Sequence, residues 1–152
     1  SAIKTFTQKV NWKDLDFIIV DMPPGTGDTQ LTFSQEIKMD GAIIVSTPQE
    51  VALLDVKRGI RMFDKLGVKI LGLVDNMSFF TGDDGKKYKI FGEGGVKKTA
   101  EEFKKDFLGE IPISPEVGRN GDEGKPIVEA NPDHEISKIY IDFANKIKST
   151  YL

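Results

Sequence analysis

The eight residues DMPPGTGD, positions 21–28, set two aspartates around two prolines and two glycines, directly after the apolar run Phe17, Ile18, Ile19 and Val20. An aspartate that closes an apolar strand suits a magnesium-linked role, because a hard cation bridging phosphates takes oxygen ligands, often through a water. Asp21 is the candidate. The prolines restrict the backbone ahead of Gly25 and Gly27, whose bare amides can approach a terminal phosphate closely. Asp28 has two readings: it caps a helix starting near Thr29, or it helps to position an attacking water when nucleotide is bound. The stretch can also be an ordinary strand-to-helix connection, since turn residues alone are weak evidence.

What must hold such a loop is a sheet with the loop beyond its carboxyl edge, the usual place for ligands in parallel α/β proteins. Four short apolar runs predict buried strands, at 17–20, 42–45, 68–74 and 107–111, each closed by Pro, Gly, Asp or Asn. Helical stretches alternate with them: DTQLTFSQEI, TPQEVALLDVKRGIRMFDKLG, GGVKKTAEEFKKD and a last one over 135–151. In the longest, Thr47 is the predicted cap, Pro48 the first residue, Glu50 the partner in a capping box and Gly67 the stop. Ala52, Val56, Ile60 and Phe63 then share one face. The segment 78–95 reads as an excursion with a hairpin around Asp83, Asp84 and Gly85, and 114–133 as a loop with at most a short helical turn. Continuously apolar strands alternating with helices imply a mostly parallel sheet covered on both faces, in one domain.

Composition narrows the functions. The 152 residues carry 21 basic and 24 acidic side chains, a net charge of −3, so no overall field attracts nucleic acid or an anionic membrane. With no cysteine and one histidine, the chain forms no disulfide and no thiolate metal site of its own. No apolar stretch approaches the roughly 20 residues needed to span a bilayer. A cytoplasmic location is the expectation.

The segments LDFIIVDMPPGTGDTQLTFSQ, GAIIVSTPQEVALLDVKRGIRMF, LGLVDNMSFF, IFGEGG and LGEIPISPEV closely resemble the Mrp/ApbC family of iron–sulfur cluster carrier ATPases, which is related to MinD, ParA and the nitrogenase iron protein. The resemblance runs from about position 1 to 133. It implies a three-layer P-loop NTPase fold of the deviant Walker A kind, with two ATP molecules held in a homodimer and apo iron–sulfur proteins as clients. On the family's pattern Asp21 matches the Walker B-like aspartate linked to Mg2+, and Gly25 the switch glycine facing the γ-phosphate. Asn76 matches the asparagine that reads the adenine edge, and Pro112 and Ile113 belong to the segment beside the base. A side-chain amide can pair with both a donor and an acceptor on adenine. Thr47 borders the nucleotide site as well as capping a helix, and the two roles stand level.

Two departures shape the expectation. No glycine-rich P-loop with its lysines occurs in the sequence, so residues 1–152 read as the carboxyl-terminal part of a single P-loop NTPase domain. A chain so placed hydrolyses ATP poorly or not at all, and its sheet, lacking a central strand, leaves an edge open or pairs it with another copy. Second, many relatives hold a [4Fe–4S] cluster through a Cys-x-x-Cys pair where this chain has TGDDGKK, and carboxylates are poor substitutes for thiolates. A cluster held by this chain is therefore doubtful. Two other functions remain: a MinD- or ParA-like positioning ATPase, disfavoured by the lack of a basic membrane-targeting helix or DNA patch, and a non-catalytic module for dimerisation or client docking.

Overall fold

The computed structural model describes residues 5, 9–22 and 28–151, with the backbone alone at positions 28 and 29. The elements run α1 (Asp28–Glu36), β1 (Ala42–Ser46), α2 (Glu50–Leu66), β2 (Ile70–Thr81), β3 (Lys87–Tyr88), α3 (Gly95–Glu102), β4 (Phe107–Ile113), α4 (Pro115–Asp122), α5 (Ile127–Ala130) and α6 (Glu135–Tyr151).

β2 is the middle of the sheet, with β1 parallel on one side and β4 parallel on the other. Its far end turns back on β3 as an antiparallel hairpin, with Phe80 opposite Tyr88 and Thr81 opposite Lys87. Helices cover both faces. On one, Val56 and Ile60 of α2 and Val96 and Ala100 of α3 close over Ile70 and Leu73 of β2. On the other, Ile127 of α5 and Ile136 of α6 close over Val74 and Ile111. Alternate residues of β2 therefore serve opposite cores, which is why its sequence is apolar without interruption from Leu73 to Val74.

Local rules explain most boundaries. Ile136, Ile139, Phe143 and Ile147 recur at helical spacing and turn α6 onto the sheet, and its bounds are those the periodicity predicts. α2 ends at Gly67, whose φ of 69° is the left-handed conformation that stops a helix. Its start differs from the sequence reading. Gln49, not Thr47, occupies the cap position, and no side chain caps the helix; Pro48 precedes the cap, while the Thr47 hydroxyl lies 3.3 Å from Gln49 Oε1. The segment 114–133 also differs, for it holds two helices. Ser114 accepts a hydrogen bond from the Glu116 amide and Pro115 sits at the first position, so Ser-Pro-Glu was a start signal for α4.

The largest correction concerns 17–20, which form no strand. All four apolar side chains are exposed, Ile19 by 84%. A strand exists only where a neighbour accepts its backbone hydrogen bonds, and among the described residues none lies beside this run. The outer edge of β1 is likewise unpaired there, and Ile43 and Val45 are exposed. Among the described residues β1 pairs only with β2, so its outer edge is an open edge of the kind the sequence predicted.

An unpaired edge with an apolar face templates pairing with another chain. The 152-residue chain should therefore self-associate as concentration rises, and Val45→Lys should reduce that association in sedimentation velocity while shifting unfolding stability by no more than about 0.5 kcal/mol.

Candidate functional site

Three parallel strands deliver their carboxyl ends to one edge, and register fixes which residues meet there. Ser46 of β1 lies opposite Asp75 of β2, and Asp75 lies opposite Glu110 of β4. One step further on, Asn76 pairs with Ile111. Thr47, Asn76, Pro112 and Ile113 thus stand along a single edge although up to 66 positions separate them in the chain. Pro112 is buried, while Thr47, Asn76 and Ile113 are half-buried, so the edge offers partly open polar and apolar groups side by side.

The other candidates are placed differently. Asp21 is exposed and follows the unpaired run 17–20. Gly25 lies outside the described residues. Asp28 is the first residue of α1 rather than the residue before it, and its side chain too lies outside the described residues. The structure therefore assembles the base-side candidates and leaves the phosphate-side ones undescribed or exposed.

β2 does not stop at Asp75 and Asn76, where the sequence suggested a closing pair; it continues to Thr81. It does so through an irregularity. Register shifts between Asn76 and Phe80, Met77 adopts a left-handed φ of 54°, and the buried Ser78 hydroxyl donates to the Ile111 carbonyl across the gap. A left-handed φ is costly for a residue with a side chain, so the surrounding contacts hold it.

Asp75 itself was the residue sequence reasoning undervalued. It is 1% exposed, and its Oδ1 has no hydrogen-bond partner. Burial, reinforced by the Glu110 carboxylate and offset in part by Lys89, pushes its pKa up to about 6. The available signal was an acid inside the run LGLVDN, where a turn residue and a buried carboxylate read alike.

Beyond the edge, Gly92, Glu93 and Gly95 wall a cavity of about 770 Å3 with Pro48, Val51 and Leu54 of the α2 start. Gly95 permits this closeness: a Cβ there would sit 2.8 Å from the Pro48 carbonyl oxygen and 2.6 Å from Leu53. At the hairpin tip, Asp84 accepts hydrogen bonds from the Lys86 amide at 3.0 Å and the Tyr88 hydroxyl at 2.8 Å, which hold its carboxyl below the ordinary range. Asp84 is thus an organiser of the turn. Among the described residues no three His, Cys, Asp or Glu side chains gather in a way that could hold a metal ion. A thiolate-bound cluster does not fit this hairpin, because its donors are amides, a phenol and carboxylates. Nor is any helix among them long and apolar enough to cross a membrane.

An open, mostly parallel sheet with helices on both faces and a polar carboxyl edge is the architecture of the MinD/ParA-like P-loop NTPases. MinD from Pyrococcus furiosus superimposes with a TM-score of 0.71 over 97% of this chain and 56% of its own, at 23% identity. A nucleotide-binding protein from Archaeoglobus fulgidus, solved in complex with ADP, matches more closely in sequence: 39% identity, TM-score 0.77, over 87% of this chain and 54% of its own. The chain belongs to the NUBPL iron-transfer P-loop NTPase family, whose profile matches residues 1–148. It is 43% identical over 144 residues to the iron-sulfur cluster carrier protein of Aquifex aeolicus, covering 94% of this chain and 40% of that protein. To the mouse iron-sulfur cluster transfer protein NUBPL it is 44% identical over 148 residues, covering 97% and 46%. The chain thus spans less than half the length of these two relatives.

The buried acid yields a test with a fixed sign. Asp75 titrates at about 6 in the fold against an ordinary 3.8, so the folded chain holds this proton more tightly than the unfolded one. That stabilisation is whole below pH 3.8, fades as pH rises and is gone above about 6. Asp75→Asn mimics the protonated form at every pH. Relative to the unsubstituted chain it should be nearly neutral at pH 4 and stabilising by up to about 3 kcal/mol at pH 8. Urea unfolding at the two pH values checks this.

Proposed function

We propose that residues 1–152 are the carboxyl-terminal part of one P-loop NTPase domain, within an ATP-binding protein that carries or assembles iron–sulfur clusters for apo client proteins. The observation that carries the reading is that Asn76 pairs with Ile111, directly before Pro112 and Ile113 at the end of β4, at the carboxyl edge of a sheet similar to that of an ADP-bound relative. Family membership and the names of the relatives supply the cluster; the cluster is cargo in this reading and takes no ligand from this chain.

The residues divide into two ends. Asn76 reads the adenine edge with its amide, Pro112 and Ile113 pack beside the base, and Thr47 borders the same site from the end of β1. At the other end Asp21 holds Mg2+ through water, Gly25 lets a backbone amide approach the γ-phosphate, and Asp28 positions the attacking water. When bound, Mg2+ neutralises the charge that develops on the phosphates. The phosphate cradle and lysines that dominate binding and rate in such enzymes have no counterpart in this sequence, so hydrolysis needs residues from outside it. A homodimer working in the cytoplasm, with neither nucleic acid nor membrane as partner, completes the reading.

Calorimetry and turnover with the complete protein test it. Asn76→Ala should weaken ATP binding roughly tenfold or more, the cost of an unpaired polar edge. Asp21→Asn should retain binding and lose most hydrolysis. An Asn76→Ala protein that binds ATP like the parent would refute the assignment of the base, and steady turnover by the 152 residues alone would refute the division of the site. Transfer of a reconstituted cluster to an apo client tests the cargo separately.

A further inference from the structure

The middle of β2 carries features that nucleotide binding does not use. Asp75 is enclosed on the face that packs against α2 and α3, whose buried residues there are Val56, Ile60, Val96, Thr99 and Ala100. None of these is titratable. Thr99 gives its hydroxyl to the Gly95 carbonyl, and the Ser46 hydroxyl, across from Asp75 on β1, goes to the Thr47 carbonyl. Neither neighbour donates to the acid. From β4, Glu110 faces it and opposes its ionisation.

The compensating charge comes from the excursion. Lys89, just past β3, lies with Nζ 3.9 Å from Glu110 and 3.8 Å from Glu93, and 5.4 Å from the centre of the Phe79 ring. Lys87 stands 4.2 Å from the same ring centre. Lys89 is also the cation whose charge favours the ionised form of Asp75. Its side chain is 29% exposed, so part of its hydration has been given up for these contacts. One lysine thus ties the segment after the hairpin to a pair of acids in the sheet, beside a strand end already bent at Met77.

We propose that Lys89 is a positioning residue, a latch that docks the 82–92 excursion onto buried Asp75 and its part-exposed neighbour Glu110 and thereby holds the irregular stretch of β2 that carries Asn76. The latch is proton-linked. Because Lys89 favours ionised Asp75, ionised Asp75 must in turn favour docked Lys89. The excursion is held more loosely when Asp75 is protonated and more tightly when it is charged. Glu110 both anchors Lys89 and raises the affinity of Asp75 for its proton, so it sets the pH at which the change occurs. This inference stands on the sheet and does not need the nucleotide reading.

NMR of the 152-residue chain tests it directly, following the Asp75 carboxyl carbon against pH. In Lys89→Met the Asp75 titration should move to higher pH than in the parent, in Glu110→Gln to lower pH, and in Lys89→Arg it should stay near the parent. Amide exchange at Gly82 and Gly92, whose N–H groups bond to the Lys86 and Lys89 carbonyls, supplies the second readout. After correction for intrinsic rates, protection in the parent should be roughly two- to fivefold greater at pH 8 than at pH 5, the scale of a part-exposed ion pair. It should lose that pH dependence in Asp75→Asn and be low at both values in Lys89→Met. An Asp75 titration unmoved by Lys89→Met overturns the proposal, as does an excursion equally protected in all these proteins at both pH values.

Discussion

A strand bonded on both edges and covered on both faces must place every backbone group in a ladder, and β2 is that strand. Its parallel neighbours β1 and β4 leave no freedom of register: a slip of one residue would exchange Leu73 with Val74 between the two cores. The same constraint orders the carboxyl edge. Ser46, Asp75 and Glu110 come from distant parts of the chain and are brought level because their strands are in register, which sets Thr47 and Asn76 one step beyond them at one edge. The site is a consequence of the ladder, and its loops inherit their positions from it.

Where the ladder is satisfied, the sequence was legible. The apolar runs of β1 and β4, the periodicity of α6 and the stop at Gly67 rest on interactions that are local or paid back within the described sheet, so pattern and structure agree. The same reasoning placed the hairpin at Asp83 to Gly85. Failure came where a segment's fate depended on a distant partner. Residues 17–20 have the composition of a buried strand, yet composition cannot supply a hydrogen-bonded neighbour. In 114–133 the glycines and charges masked helices that a single serine cap and the packing of Val117 and Ile127 sustain. For the candidate site, Asn76, Pro112 and Ile113 were named by the family resemblance and only their place just past apolar runs was legible in the pattern, whereas Asp75 was not, because burial of an acid is a tertiary fact with no signature of its own.

The open side of the sheet and the division of the site have one cause. β1 ends its ladder at an unpaired edge, and 17–20 stand exposed next to Asp21 in the chain. An aspartate acts on a metal-linked phosphate only if its strand holds it still, and preorganisation of that kind comes from the ladder. β2 is bonded to a parallel neighbour on each edge, whereas among the described residues β4 is bonded only to β2 and the run 17–20 to no strand. Asn76 thus lies on a strand held on both edges, while Asp21 follows a run that no described strand holds.

The buried acid shows how such a sheet tolerates cost at its working edge. Replacing Asp75 by an apolar residue of similar size would remove an unpartnered oxygen and a desolvated charge, both of which disfavour folding. The strand carries them together with a left-handed Met77 and a break in register, all between Asp75 and Phe80. Costs gathered so closely mark a place that packing alone does not explain. Lys89 lies on the excursion that leaves the sheet after β3, outside both hydrophobic clusters. A part-exposed cation near a buried acid is an arrangement whose strength varies with the acid's proton, and it sits where an excursion meets the edge that Asn76 occupies.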